Sequence, residues 1–316
     1  MIKNVGIIGI GGVGGYFGGK ICQVQQLTKD LKVYFIARGQ HLIEIQKNGL
    51  TLNTITEGTF TCIPTLVTDD IRELPVLDLC IISVKVFDLN DVVKELVKKM
   101  KPDTIIIPLL NGVDIYTRIR NVISTGIILP ATVYMGAQIE RPGVVTQKAG
   151  ACKILLGQGS DNKCKNLEEL FLLFDNAKIK YQWFDDVNPE IWEKFIFIAS
   201  FGLVTACYKR TIGEVLETKE LSEAVRNIMN EIYNLSQRLG IKLPKNIVEI
   251  SFNKGTNFPY ETKTSLQRDV EYENKPDERD LFSGTIIKLC NSNGLECHET
   301  LKIHKLINEL KKLDLN

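Results

Sequence analysis

The sequence predicts an α/β N-terminal domain of the Rossmann type followed by an all-α C-terminal domain. Three observations carry this. Short β-branched runs alternate with helical patterns through the first part of the chain, the signature of a parallel sheet flanked by helices. A glycine-rich turn, Gly9-Ile10-Gly11-Gly12-Val13-Gly14, stands directly between the first such run and the first helix. At Asp185-Asp186-Val187-Asn188-Pro189 the pattern changes, and everything after it reads helical.

In order along the chain, residues 5–8 read as the first strand, 12–25 as a helix and 32–36 as the second strand. The run LDLCIISV at 77–84 has the unbroken hydrophobicity of a strand buried on both faces. Residues 88–100 read as a helix and 104–109 (TIIIPL) as another buried strand. Further strands are expected at 127–129 and 153–156, a helix at 166–174, and a last strand of this domain at 180–184. Asn188 can cap a helix whose first position is Pro189, where a missing N–H costs nothing. Between 220 and 239 the apolar residues Leu221, Ala224, Val225, Ile228, Met229, Ile232, Leu235 and Leu239 share one helix face, and Gly240 stops it. Residues 280–290 and 299–310 are further helices by pattern. The expected division is therefore a nucleotide-binding domain at 1–187 and a helical substrate and dimerisation domain at 188–316.

A chain of 316 residues suits two domains, each with its own core. The 39 basic and 38 acidic side chains nearly cancel. Nucleic acid and anionic membranes select basic surfaces, so neither is expected as the main partner. The 8 cysteines are scattered, without C-x-x-C or zinc-ligand spacing, so reduced, mostly buried thiols and no metal are expected. The N-terminus resembles a signal peptide, with Lys3 before an apolar stretch. Glycines nevertheless interrupt positions 9–19, and no small-x-small cleavage site follows. No uncharged apolar run elsewhere has the length of a membrane span, so a cytoplasmic protein is expected.

The glycine turn fits G-x-G-x-x-G in the context that gives the pattern meaning. The first glycine permits the tight turn, the second lets backbone approach a pyrophosphate, and the third lets helix and strand pack closely. The helix start supplies free N–H groups and a positive dipole end. A merely flexible turn would not require glycines in this register. An NAD-binding fold usually ends its second strand with a carboxylate that accepts from the ribose hydroxyls. Here Ile36 is followed by Ala37 and Arg38, whose planar fork suits a 2′-phosphate. NADPH is thus expected over NADH, an ordinary surface arginine being the bland alternative.

Ligands of such sheets lie beyond the carboxyl ends of the strands. Two later strand ends turn polar there, at Ser83-Val84-Lys85 and at Leu110-Asn111-Gly112. Lys85 suits the nicotinamide side or a substrate carboxylate, and Asn111 a ribose or substrate hydrogen bond. A solvated lysine and a plain Asn-Gly turn are the alternatives. Reduction of a ketone also needs an acid for the developing alkoxide. The 3 histidines, His41, His298 and His304, stand at no strand end. Lys194 instead lies in the apolar helix IWEKFIFIA at 191–199, where burial and the helix dipole both lower a lysine pKa. An i,i+4 salt bridge with Glu190 is the alternative.

Together these residues resemble the ketopantoate reductase (2-dehydropantoate 2-reductase) family over nearly the whole chain. The resemblance rests on GIGGVG at 9–14, Arg38, SVK at 83–85, LLNG at 109–112, WEK at 192–194, TSLQRD at 264–269 and KPDERDLFSG at 275–284. It implies that Gly9, Ile10, Gly11, Gly12, Val13, Gly14, Arg38, Lys85 and Asn111 hold NADPH, with Ala137 touching it through its backbone. It also implies that Lys194 protonates the substrate oxygen, that Ser265 binds the substrate carboxylate, and that Glu278 sits beside Lys194 and the nicotinamide ribose. A helix-surface serine and a solvated member of the acidic run 271–278 are the bland readings of the last two. The chain departs from the family pattern in one respect. The asparagines expected four and eight residues after the lysine are Ile198 and Gly202, and a third, before Gly213, is Ile212. The expected activity is NADPH-dependent reduction of a 2-oxo acid to a 2-hydroxy acid. Ketopantoate reduction, reduction of a more apolar 2-oxo acid, and a catalytically silent NADP(H) sensor all stay open, as does a homodimer.

Overall fold

The computed structural model describes residues 2–160, 167–271 and 276–313, and the chain forms two compact units. Position 166 at the head of an expected helix, Cys164, and Lys275 in KPDERDLFSG lie outside the described residues. One unit comprises residues 1–110 and 115–187, the other residues 111–114 and 188–316.

The first unit holds two sheets. Its parallel sheet contains β1 (Asn4–Ile8), β2 (Lys32–Ile36), β5 (Leu66–Thr68), β6 (Leu79–Ile82), β7 (Ile105–Pro108) and β8 (Ile127–Ile128), in the order β5-β2-β1-β6-β7-β8. The register sets Ile36, Ile8, Ile82 and Pro108 in one row across β2, β1, β6 and β7. These four strands therefore finish level, and the segments that follow them emerge side by side. The helices between strands are α1 (Gly12–Gln25), α2 (Gly39–Asn48), α3 (Val86–Leu96) and α4 (Ile115–Arg120). Helix α3 begins two residues before the expected start at 88, with Lys85 as its N-cap.

The second sheet was largely hidden in the sequence. It pairs β3 (Leu50–Thr54) with β4 (Gly58–Cys62) as a hairpin, and β9 (Ala131–Arg141) antiparallel to β10 (Val144–Gly157). Strand β11 (Lys180–Phe184) follows α5 (Glu168–Asn176) and joins the far end of β10. The strand expected at 153–156 is only the last part of β10. Helix α1 is buried from Gly14 to Cys22 because it has a sheet on each side. Its Phe17 and Ile21 enter the core with Phe35 and Ile7. Lys20, only 2 % exposed, is paired with Glu57 in the β3–β4 turn.

The second unit is helical: α6 (Asn188–Tyr208), α7 (Ile212–Glu217), α8 (Lys219–Arg238), α9 (Ile247–Lys254), α10 (Ser265–Glu271), α11 (Thr285–Ser292) and α12 (His298–Leu313). A π-turn at Asp280–Gly284 precedes α11, within what the sequence presents as one helix at 280–290. Helix α6 is apolar nearly all round because α8, α9, α10 and α12 surround it. Its length and hydropathy would suit a membrane span, but 72 % of that stretch is buried within the protein, as befits a central core helix. Phe195 stacks near Phe282 at 6.1 Å, and Phe201 near Phe252 at 5.9 Å. The seven described cysteines are free and buried.

Candidate active site

The level strand ends build a candidate nucleotide site in the first unit. Gly9 takes φ +96°, which a side chain would strain, and the Gly9 and Ile10 amides donate to Ile36 O at 3.0 and 3.1 Å. The Ser83 hydroxyl donates to Gly9 O at 2.8 Å, so the turn is tied to the ends of both β2 and β6. A Cβ on Gly12 would collide with the Ala137 carbonyl of β9. Ala137 thus lies against the start of α1. Around a Cβ on Gly11 there is nothing within 4 Å, and no side chain caps the helix. The first-turn amides of α1 therefore have no side-chain cap and stand at the positive end of the helix dipole. That arrangement fits the pyrophosphate of a dinucleotide.

Arg38 follows β2 as the N-cap of α2 and is 62 % exposed. Its Nη1 donates to Asp88 Oδ2 at 3.0 Å, in the first turn of α3. Sequence reasoning missed Asp88, because only the order β2-β1-β6 makes it a neighbour of Arg38. Lys85 is half-buried at the start of the same helix.

In the helical unit, Lys194 is 9 % exposed, and its Nζ donates to Asn111 Oδ1 at 2.8 Å. Asn111 starts the turn after β7, which Gly112 closes at φ +114° and which groups with the helices. Burial is the cause that pulls the Lys194 ammonium from the ordinary lysine value down to about 8. Glu278 is also buried, two residues before the π-turn. Ser265 heads α10 and is exposed. Ile198 and Gly202 follow Lys194 along α6 at intervals of one helical turn. A Cβ on Gly202 would meet only Leu266 of α10, at an ordinary 3.6 Å. Ile212 is buried at the start of α7, its amide donating to Thr262 O at 2.9 Å. The histidines are engaged elsewhere. His41 Nδ1 accepts from the Gly143 amide at 3.0 Å, His304 bonds Ser283 at 2.7 Å, and His298 bonds Glu296 at 2.8 Å.

Comparison with known proteins extends this picture. The family model described as ketopantoate reductase PanE/ApbA matches residues 5–161, and its C-terminal counterpart matches 186–311. The uncharacterized oxidoreductase YkpB of Bacillus subtilis is 24 % identical, covering 89 % of this chain and 90 % of that protein. A 2-dehydropantoate 2-reductase of Mesorhizobium japonicum is 25 % identical, covering 90 % and 91 %. A PanE/ApbA family ketopantoate reductase structure from Ralstonia eutropha superposes with a TM-score of 0.87 at 21 % identity, covering 99 % of this chain and 100 % of that one. A D-mandelate dehydrogenase solved with NADH and anilino(oxo)acetate superposes at 0.84 with 18 % identity, covering 99 % and 100 %. With both family models matched in chain order over nearly all of its length, the chain belongs to the ketopantoate reductase PanE/ApbA family, whose members are oxidoreductases acting on CH–OH and C=O groups.

Proposed function

We propose that this protein reduces a 2-oxo acid to the 2-hydroxy acid with NADPH, in the cytoplasm and as a homodimer. In this reading the first unit supplies most of the residues that hold the cofactor, and the second supplies those that hold the substrate. The single observation that carries it is a buried lysine amine, lowered to about 8 and held by an asparagine from a strand-end turn. An amine in that range is still largely protonated at neutral pH and gives up its proton readily, which a general acid for an alkoxide requires. The nicotinamide, when bound, supplies a hydride to the carbonyl carbon. Gly9 and Ile10, whose amides go to Ile36 O, shape the turn with Gly11; the amides of Gly12, Val13 and Gly14 that open α1 receive the pyrophosphate, and Arg38 takes the 2′-phosphate. Lys85, Ala137 and Glu278 complete the cofactor contacts. Lys194 donates the proton to the substrate oxygen. Asn111 keeps its amine aimed, and Ser265 meets the substrate carboxylate.

Conversion of ketopantoate to pantoate is supported by the family's name and by relatives named 2-dehydropantoate 2-reductase. A specific observation favours a more apolar substrate. Ile198 and Gly202 line the stripe of α6 that begins at Lys194, and neither side chain can hydrogen-bond a substrate hydroxyl. Following NADPH oxidation over a panel of 2-oxo acids, ketopantoate included, tests both. Tight NADPH binding without turnover of any of them would replace the enzyme by an NADP(H)-sensing protein.

A further inference from the structure

The pairing of Arg38 with Asp88 carries a consequence for cofactor choice, and it rests on the reading of Arg38 as the 2′-phosphate ligand. Asp88 is not an N-cap of α3, since Lys85 holds that position, and its carboxylate is turned to the Arg38 guanidinium at 3.0 Å. Nη1 makes this contact, and the rest of the fork is the part offered to a phosphate. A carboxylate at that spot has two effects on a nucleotide. It competes with and repels a 2′-phosphate, and it accepts a hydrogen bond from a ribose 2′-hydroxyl, as the acidic residue of NAD-binding folds does. We propose that Asp88 is a cofactor-specificity residue which, paired with Arg38, makes the adenosine end a reader of both forms and holds the preference for NADPH below what Arg38 alone would give.

The pair is solvent-exposed, Asp88 being 33 % exposed, so its influence is modest and screened by salt. The test uses the full chain and two cofactor fragments, 2′,5′-ADP and 5′-ADP, with affinities measured by calorimetry. Asp88→Asn keeps the shape of the side chain and removes its charge. The expected result is an affinity ratio of 2′,5′-ADP to 5′-ADP that rises about three- to tenfold at low salt and falls back toward the unmutated ratio at high salt. An unchanged ratio, or a lower one, would overturn the proposal, since a residue that merely orients Arg38 or serves the α3 dipole would not raise it. Arg38→Ala separates the two levels of the argument. If it leaves the ratio untouched, the assignment of Arg38 to the phosphate is wrong. If it collapses the ratio while Asp88→Asn does nothing, the role of Asp88 alone is wrong.

Discussion

Lys194 Nζ donates to Asn111 Oδ1 at 2.8 Å, joining the central helix of one unit to a turn 83 positions earlier in the chain. The amide oxygen accepts from the amine in either protonation state, so it aims the group without fixing its charge. Lys194→Met is expected to lower turnover by roughly 10²–10⁴-fold while leaving NADPH binding in place, as measured by fluorescence titration. Near-normal turnover would hand the chemistry to another residue.

The pH dependence follows from the same group. With the folded amine at about 8, the proton to be donated is present below that pH and is lost above it. The value of kcat/KM should therefore fall about tenfold per pH unit above about 8. Stability moves the other way. Between about 8 and the ordinary lysine value the unfolded chain binds a proton that the folded protein does not, so this group makes stability rise with pH across that window. Denaturant titrations should show that rise in the unmutated protein and its loss in Lys194→Met.

Arg38→Ala should remove most of the preference for NADPH. A charge-assisted pair to the 2′-phosphate is worth about 1.5–3 kcal/mol, roughly ten- to a hundredfold in affinity. Equal affinities of the unmutated protein for NADPH and NADH would sink the assignment.

Gly11→Ala and Gly12→Ala should differ sharply although they are neighbours. At Gly11 a methyl meets nothing, so the melting temperature should hold while cofactor affinity drops. At Gly12 it meets the Ala137 carbonyl, and forcing helix and strand apart should cost about 1–3 kcal/mol of stability. Thermal melts with and without NADPH separate the two; equal losses of stability would refute this reading of the turn.

Substrate choice should follow the α6 stripe. Each polar substrate group left unpaired in a buried site costs about 1–3 kcal/mol, so Ile198 and Gly202 should favour branched apolar 2-oxo acids over ketopantoate. Comparing kcat/KM for ketopantoate and 2-oxoisovalerate decides it. A strong preference for ketopantoate would mean that other side chains supply the missing hydrogen bonds.

The unbroken apolar runs of β6 and β7, the glycine turn, and the start of α6 at Asn188 were all legible, because each obeys a local rule. Strands β3, β4 and β9 and most of β10 were not. Thr146, Gln147, Lys148 and Gly150 break any apolar run in β10, whose burial comes from one face against α1. The Pro142-Gly143 turn, with Gly143 at φ +76°, was the available signal for that hairpin. Arg38 and Lys194 stood out as isolated residues, but their partners did not. Asp88 is brought to Arg38 by strand order, and Asn111 to Lys194 by the grouping of a short turn with distant helices.

That grouping constrains how such a protein can be cut or recombined. Residues 111–114 cluster with the helices, yet are spliced into the chain between β7 and α4. A fragment starting at 188 would carry Lys194 without Asn111, and one ending at 187 would keep a loop deprived of its neighbours. Exchange of helical regions between relatives at a single crossover would therefore separate the lysine from the amide that aims it. The turn and the helices must be inherited, or engineered, together.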